Sequence, residues 1–137
     1  MRRPRVLLAD DHPPLLAAIR RLLAEEFEVV GEASDGLEAV RLAHALHPDV
    51  VIIDLAMPPM GGMEAIRQLQ ADPAGPAVLA LTVISDSAVR RAALEAGASG
   101  YILKSQAGGD LIPAIRAALQ DESVLPFRLR TENRPGE

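Results

Sequence analysis

The chain has 137 residues, 49% hydrophobic and 24% charged, which suits one globular domain with a real core and argues against a mostly disordered chain. Cysteine is absent, so disulfides, thiolate metal sites and thiol nucleophiles are excluded. The formal charge is −5 and the only aromatic residues are Phe27, Tyr101 and Phe127, a poor basis for gripping nucleic acid directly. No apolar run approaches the roughly 20 residues that span a bilayer, and the opening stretch, MRRPRVLLADDHPP, meets acid before a signal sequence could form. A cytoplasmic domain with no membrane partner is expected.

Short continuous apolar runs alternate with helical periods along the chain. RVLLA (5–9) is the first run. Leu15, Leu16, Ile19, Leu22 and Leu23 then follow helical spacing, with Pro13 and Pro14 in the first turn, where a missing N–H costs little. EVVGEA (28–33) is more polar and broken by Gly31, as an edge strand would be. Leu37, Val40, Ala43 and Leu46 form the next stripe, closed by Pro48. VVIID (50–54), a stripe of Met63, Ile66 and Leu69, and VLALT (78–82) come next. Val89, Ala92, Ala93 and Ala96 make a stripe of mostly small residues ending at Gly97, so this helix should be the least firmly docked. YIL (101–103) is the last run. Leu111, Ile112, Ile115, Ala118 and Leu119 are the last stripe, for which Asp110 is the expected N-cap and Pro113 the N3 residue. Runs apolar on successive residues read as parallel strands covered on both faces, and five β-α units imply right-handed crossovers. From Asp121 the pattern stops. Residues 1–120 are therefore expected to form the domain, and 121–137 a tail or the start of a linker.

In an open α/β sheet, ligands bind beyond the carboxyl ends of the strands. The first run ends in Asp10 and Asp11, the third in Asp54, the fourth in Thr82 and the last in Lys104. Crowded carboxylates repel, so they take up protons or bind a cation. All-oxygen ligands, few of them from the protein, favour Mg²⁺, which prefers to share a phosphate. Lys104 and Thr82 supply the point charge and hydroxyl that a phosphoryl group needs, and Asp54 is the natural nucleophile, giving an acyl phosphate. No Gly-rich loop follows the first run, which counts against a nucleotide-binding reading.

LLADDHP, GEASDGLEAV, PDVVIIDLAMPPMGGMEAI and GASGYILK resemble the receiver domain of bacterial two-component response regulators, over residues 4–120. DDHP and GASGYILK look like the subfamily that often carries a C-terminal LuxR/NarL-type helix-turn-helix. The resemblance implies a flavodoxin-like three-layer α/β sandwich, with a five-stranded parallel sheet in order 2-1-3-4-5 and five helices. It implies that Asp54 is the phosphoacceptor and Asp11 the direct Mg²⁺ ligand of the acidic pair, with Asp10 acting mostly through water. The backbone carbonyl of Ala56 completes the protein ligands, Thr82 and Lys104 contact the phosphoryl group, and Thr82 and Tyr101 form the switch. The implied partners are a sensor histidine kinase or other phosphodonor, a second copy on phosphorylation, and DNA only through an output domain beyond this segment.

An aspartyl phosphate would add charge and acceptor oxygens beside Lys104 and Thr82. As Thr82 moves toward it, space opens that Tyr101 can enter, reshaping the face built from the Ala-rich helix, the last strand and the last helix. Several positions depart from the family pattern. Val83 replaces the usual Ala or Gly and should narrow access to the phosphoryl group. Ala56 and Ile84 are apolar where the family tunes water attack, which predicts a long-lived phosphoryl state. Gly61 replaces the commoner Asp, with a minor loss of helix capping. His12 is expected to hold a turn rather than a metal, and His44 and His47 to lie on a partly exposed helix face.

Two other readings stay open. A phosphohydrolase of the haloacid-dehalogenase-like superfamily also uses a strand-end Asp, but places an acid two residues later, where this chain has Ala56. A degenerate receiver would act as a phosphorylation-independent interaction module; retention of all five site residues counts against it. The leading expectation is a phosphorylation-activated switch, with no enzymatic activity on external substrates.

Overall fold

A computed structural model describes residues 2–58 and 60–120. Its elements run β1 (Arg5–Ala9), α1 (Pro13–Leu23), β2 (Glu28–Ala33), α2 (Gly36–Leu46), β3 (Val50–Asp54), α3 (Gly62–Gln70), β4 (Ala77–Thr82), α4 (Ser87–Ala96), β5 (Gly100–Leu103), a 3₁₀ turn (Lys104–Gln106) and α5 (Ala107–Gln120). The five strands form one parallel sheet in the order β2-β1-β3-β4-β5, as expected of the flavodoxin-like fold. The expected tail over 121–137 lies outside the described residues.

Alternation along the central strands explains their unbroken apolar runs. Val6, Leu8, Val50, Ile52, Leu79 and Leu81 pack with Leu16, Ile19 and Leu23 of α1 and Leu111 and Ile115 of α5. The intervening residues Leu7, Ala9, Val51, Ile53, Val78 and Ala80 pack on the other face, with Val40 and Ala43 of α2, Ile66 and Leu69 of α3, and Ala93 of α4. Both faces are therefore buried. The helices are not equally held. Burying Ile66 and Leu69 secures α3 by roughly 3–6 kcal/mol, whereas Ala93, the one buried residue of α4, contributes about 1 kcal/mol. The alanine-rich helix is the weakly docked one.

Several local expectations hold. Pro13 and Pro14 occupy the first turn of α1, and Gly97 caps α4 in the left-handed region at φ 116°. Gly61 caps α3 without a side-chain bond. Two expectations are corrected. Leu37 is 58% exposed, and the buried face of α2 is Gly36, Ala39, Val40 and Ala43, because small residues let this helix sit close to the sheet. Asp110 is not the N-cap of α5. The 3₁₀ turn feeds straight into that helix at Ala107, which is itself buried, so Pro113 lies in the helix interior. Having no N–H, it cannot make the usual helical bond to the Gly109 carbonyl. No helix among the described residues is long and apolar enough to cross a membrane.

Candidate functional site

Register assembles the site. Ala9 pairs with Ile53 and Thr82 with Leu103, so Asp10 follows β1 beside Asp54, and Lys104 follows β5 beside Thr82. Asp10 is 1% exposed; its Oδ1 accepts from the His12 N–H at 2.9 Å, and its Oδ2 lies 2.7 Å from Lys104 Nζ. The same ammonium is 3.2 Å from Asp54 Oδ2, while Asp54 Oδ1 accepts from the Ala56 N–H at 3.1 Å. Asp11 is exposed and completes a trio, since Asp10, Asp11 and Asp54 each offer an oxygen within 4.8 Å of the others. Burial opposes the Lys104 charge, but the bond to Asp10 and the charges of Asp54 and Asp10 outweigh it, raising the ammonium above its ordinary pKa.

Three carboxylates against one ammonium leave the cluster short of positive charge. Asp10 Oδ2 is buried and meets the Lys104 ammonium alone among the described contacts. An all-oxygen donor set with a buried under-satisfied oxygen fits a hard divalent cation, for which Asp10, Asp11 and Asp54 are the available side chains.

Thr82 is buried at the end of β4, but its hydroxyl accepts from the Ile84 N–H at 3.1 Å instead of meeting Lys104 or Asp54. Tyr101 is also buried, with its hydroxyl donating to the Ile84 carbonyl. In this structure the ring is inside while Thr82 is bonded to the Ile84 amide. His12 caps α1 through its backbone, accepting from Leu15 and Leu16, and holds the turn as expected. His44 and His47 line a cleft of about 380 Å³ with Asp49 and Asp72, between the α2 and α3 C-termini. No metal-ligating trio other than Asp10, Asp11 and Asp54 forms among the described residues.

The family profile described as the response regulator receiver domain matches residues 6–116. The chain belongs to that family. It is 42% identical over 127 residues to the transcriptional regulatory protein LiaR of Bacillus subtilis, covering 91% of this chain and 60% of LiaR. It is 37% identical to the nitrate/nitrite response regulator protein NarL of Escherichia coli, covering 88% of this chain and 56% of NarL. The chain thus spans little more than half the length of these relatives. A crystal structure of a LuxR-family two-component response regulator from Aurantimonas is 39% identical, with a TM-score of 0.84 over 95% of this chain and 94% of that one. The receiver is accordingly of LuxR/NarL type.

In this receiver the positions that depart from the family pattern lie at the rim. Val83 and Ile84 are 74% and 54% exposed on the loop after β4, and Ala56 is exposed beyond β3. Two site features escaped sequence reasoning. Ile84 takes part through its backbone, which any residue type could supply. Gly62 is needed because a Cβ there would lie 2.4 Å from the Asp54 carbonyl oxygen; the Gly61-Gly62 pair was its only signal.

Proposed function

We propose that this receiver domain accepts a phosphoryl group on Asp54 and switches on its arrival. The observation that supports this best is Lys104 Nζ reaching both Asp10 Oδ2 and Asp54 Oδ2, at 2.7 and 3.2 Å, beside the third carboxylate of Asp11. In this reading Asp10, Asp11, Asp54 and the Ala56 carbonyl would hold Mg²⁺. When bound, the ion would supply charge neutralisation to the transferring phosphoryl group.

The residues of the chain do the rest. An Asp54 carboxylate oxygen attacks phosphorus as the bond to the donor nitrogen or oxygen breaks, and the leaving group departs with the bonding electrons. Lys104 already sits where its charge can follow the new phosphoryl oxygens. The Thr82 hydroxyl accepts from the Ile84 N–H and keeps its own proton to donate to a phosphoryl oxygen, so a shift of Thr82 would carry the loop with it. The weakly docked α4, with β5 and α5, is the face that would change. Ala56, lacking a proton donor, offers no general acid for turnover of external phosphoesters.

The donor is a sensor histidine kinase or another phosphodonor. As LiaR is a transcriptional regulatory protein, we assign this receiver to transcription control in the cytoplasm, with phosphorylation promoting dimerisation and DNA reached through an output domain. The test is incubation with Mg²⁺ and acetyl phosphate. A mass gain of one phosphoryl group in wild type, absent in Asp54→Ala, is expected; no gain in wild type would overturn the reading. Steady phosphate release from many phosphoesters would favour a hydrolase instead.

A further inference from the structure

We propose that Gly36, remote in sequence from every acid of the site, is a positioning residue for the cation site, latching the loop after β3 to the first turn of α2. The first amides of a helix have no partner within it. In α2 the Glu38 N–H finds Asp35 Oδ1 at 2.8 Å, and Glu38 Oε1 in return accepts from the Ser34 N–H at 2.8 Å. The Gly36 N–H leaves the helix altogether and donates to the Met60 carbonyl at 3.1 Å.

The fit there has no slack. A Cβ on Gly36 would stand 2.6 Å from the Met60 carbonyl oxygen, 2.9 Å from Met60 Cγ and 3.1 Å from the Gly61 carbonyl oxygen. Two of those three atoms are backbone, so the loop itself would have to move. Its near end is anchored elsewhere, by the Leu55 N–H to the Leu81 carbonyl at 3.0 Å and the Gly62 N–H to the Leu55 carbonyl at 3.2 Å. Ala56 lies between the Leu55 anchor and Met60, with its amide on Asp54 Oδ1. Gly36 thus sets the approach of the loop that presents Ala56 to the acids. The inference rests on the receiver-site reading above, in which the Ala56 carbonyl is a cation ligand.

Gly75 supplies a matched control. A Cβ there would lie 2.7 Å from the Leu69 carbonyl oxygen and 3.0 Å from that of Asp72, a comparable backbone clash just before β4, at the opposite rim of the sheet. Mg²⁺ affinity by titration calorimetry and the unfolding midpoint would be measured for wild type, Gly36→Ala and Gly75→Ala. Both variants should unfold more readily, but only Gly36→Ala should lose about tenfold or more in Mg²⁺ affinity. Equal affinity in the two variants would overturn the proposal. Should Gly36→Ala not fold, hydrogen exchange at the Gly36 amide of wild type decides. Coupling is reciprocal, so Mg²⁺ must slow that exchange, and an unchanged rate overturns the latch. A wild type that binds no Mg²⁺ would instead overturn the receiver-site reading, and this inference with it.

Discussion

Thr82 and Tyr101 hold opposite ends of one residue: the Thr82 hydroxyl accepts from the Ile84 N–H, and the Tyr101 hydroxyl donates to the Ile84 carbonyl. Neither side chain can leave without freeing half of that residue's backbone. Thr82→Val and Tyr101→Phe should each lower unfolding stability by about 1 kcal/mol. The double variant should lose about 0.5 kcal/mol less than the sum, since the loop is already loose after the first change. A denaturant double-mutant cycle measures this, and strict additivity would show that the two contacts act separately.

Asp11 faces two other carboxylates and contributes no ion pair of its own among the described contacts. Without added cation, Asp11→Asn should therefore stabilise the domain by about 1 kcal/mol, the size of an exposed like-charge contact at this separation. Adding Mg²⁺ should raise the melting temperature of wild type and leave that of the variant nearly unmoved. A destabilised Asp11→Asn would contradict the picture of repulsion.

Ala56 and Ile84 are exposed at the rim and can accept polar side chains without disturbing the core. Ala56→Asn and Ile84→Glu would place groups able to orient water near the acyl phosphate. Loss of the phosphoryl group, followed by mass spectrometry after removal of the donor, should become several-fold faster in each. Decay at the wild-type rate in both would sink the expectation of a long-lived phosphoryl state.

Lys104 carries a raised pKa, despite burial that opposes its charge, because of Asp10 and Asp54. A base raised on folding stabilises fully below its unfolded pKa and loses that contribution as pH climbs through the folded value. In the absence of Mg²⁺, Lys104→Met should be less stable than wild type by about 2 kcal/mol near neutral pH. The gap should stay constant through mildly alkaline solution and narrow only above about pH 10.5. Urea titrations of both proteins across that range provide the measurement; a gap that closed near neutrality would mean that the ammonium is not held by the acids.

The strands are legible in the sequence because burial on both faces leaves unbroken apolar runs, and the site acids because each interrupts such a run at its end. Strand order is less legible: nothing in a run such as VVIID names its neighbours, and the order came with the family resemblance. Leu37 misleads because Leu37, Val40, Ala43 and Leu46 are as regularly spaced as the true buried face. A face built on Gly36 and alanines carries little hydrophobic signal. The start of α5 is hidden because Gly108 and Gly109 look like loop, yet they lie inside the helix where their missing side chains would meet only open space. The pairing of Thr82 and Tyr101 through Ile84 had no signal at all, since it uses backbone groups that every residue type but proline carries.

The strands β1, β3 and β4, greasy above and below, could exchange their two sides with little loss of oil-to-oil contact, so polarity alone does not index them against one another. The terminal acids do. Sliding β1 one step inward would drag Asp10 among aliphatic side chains, where a lone carboxylate is intolerable, and sliding it outward would pull Asp10 off Lys104. Asp10 and Asp54 are therefore end-stops, and a chain stripped of both would keep its apolar ribbons while losing the marks that line them up.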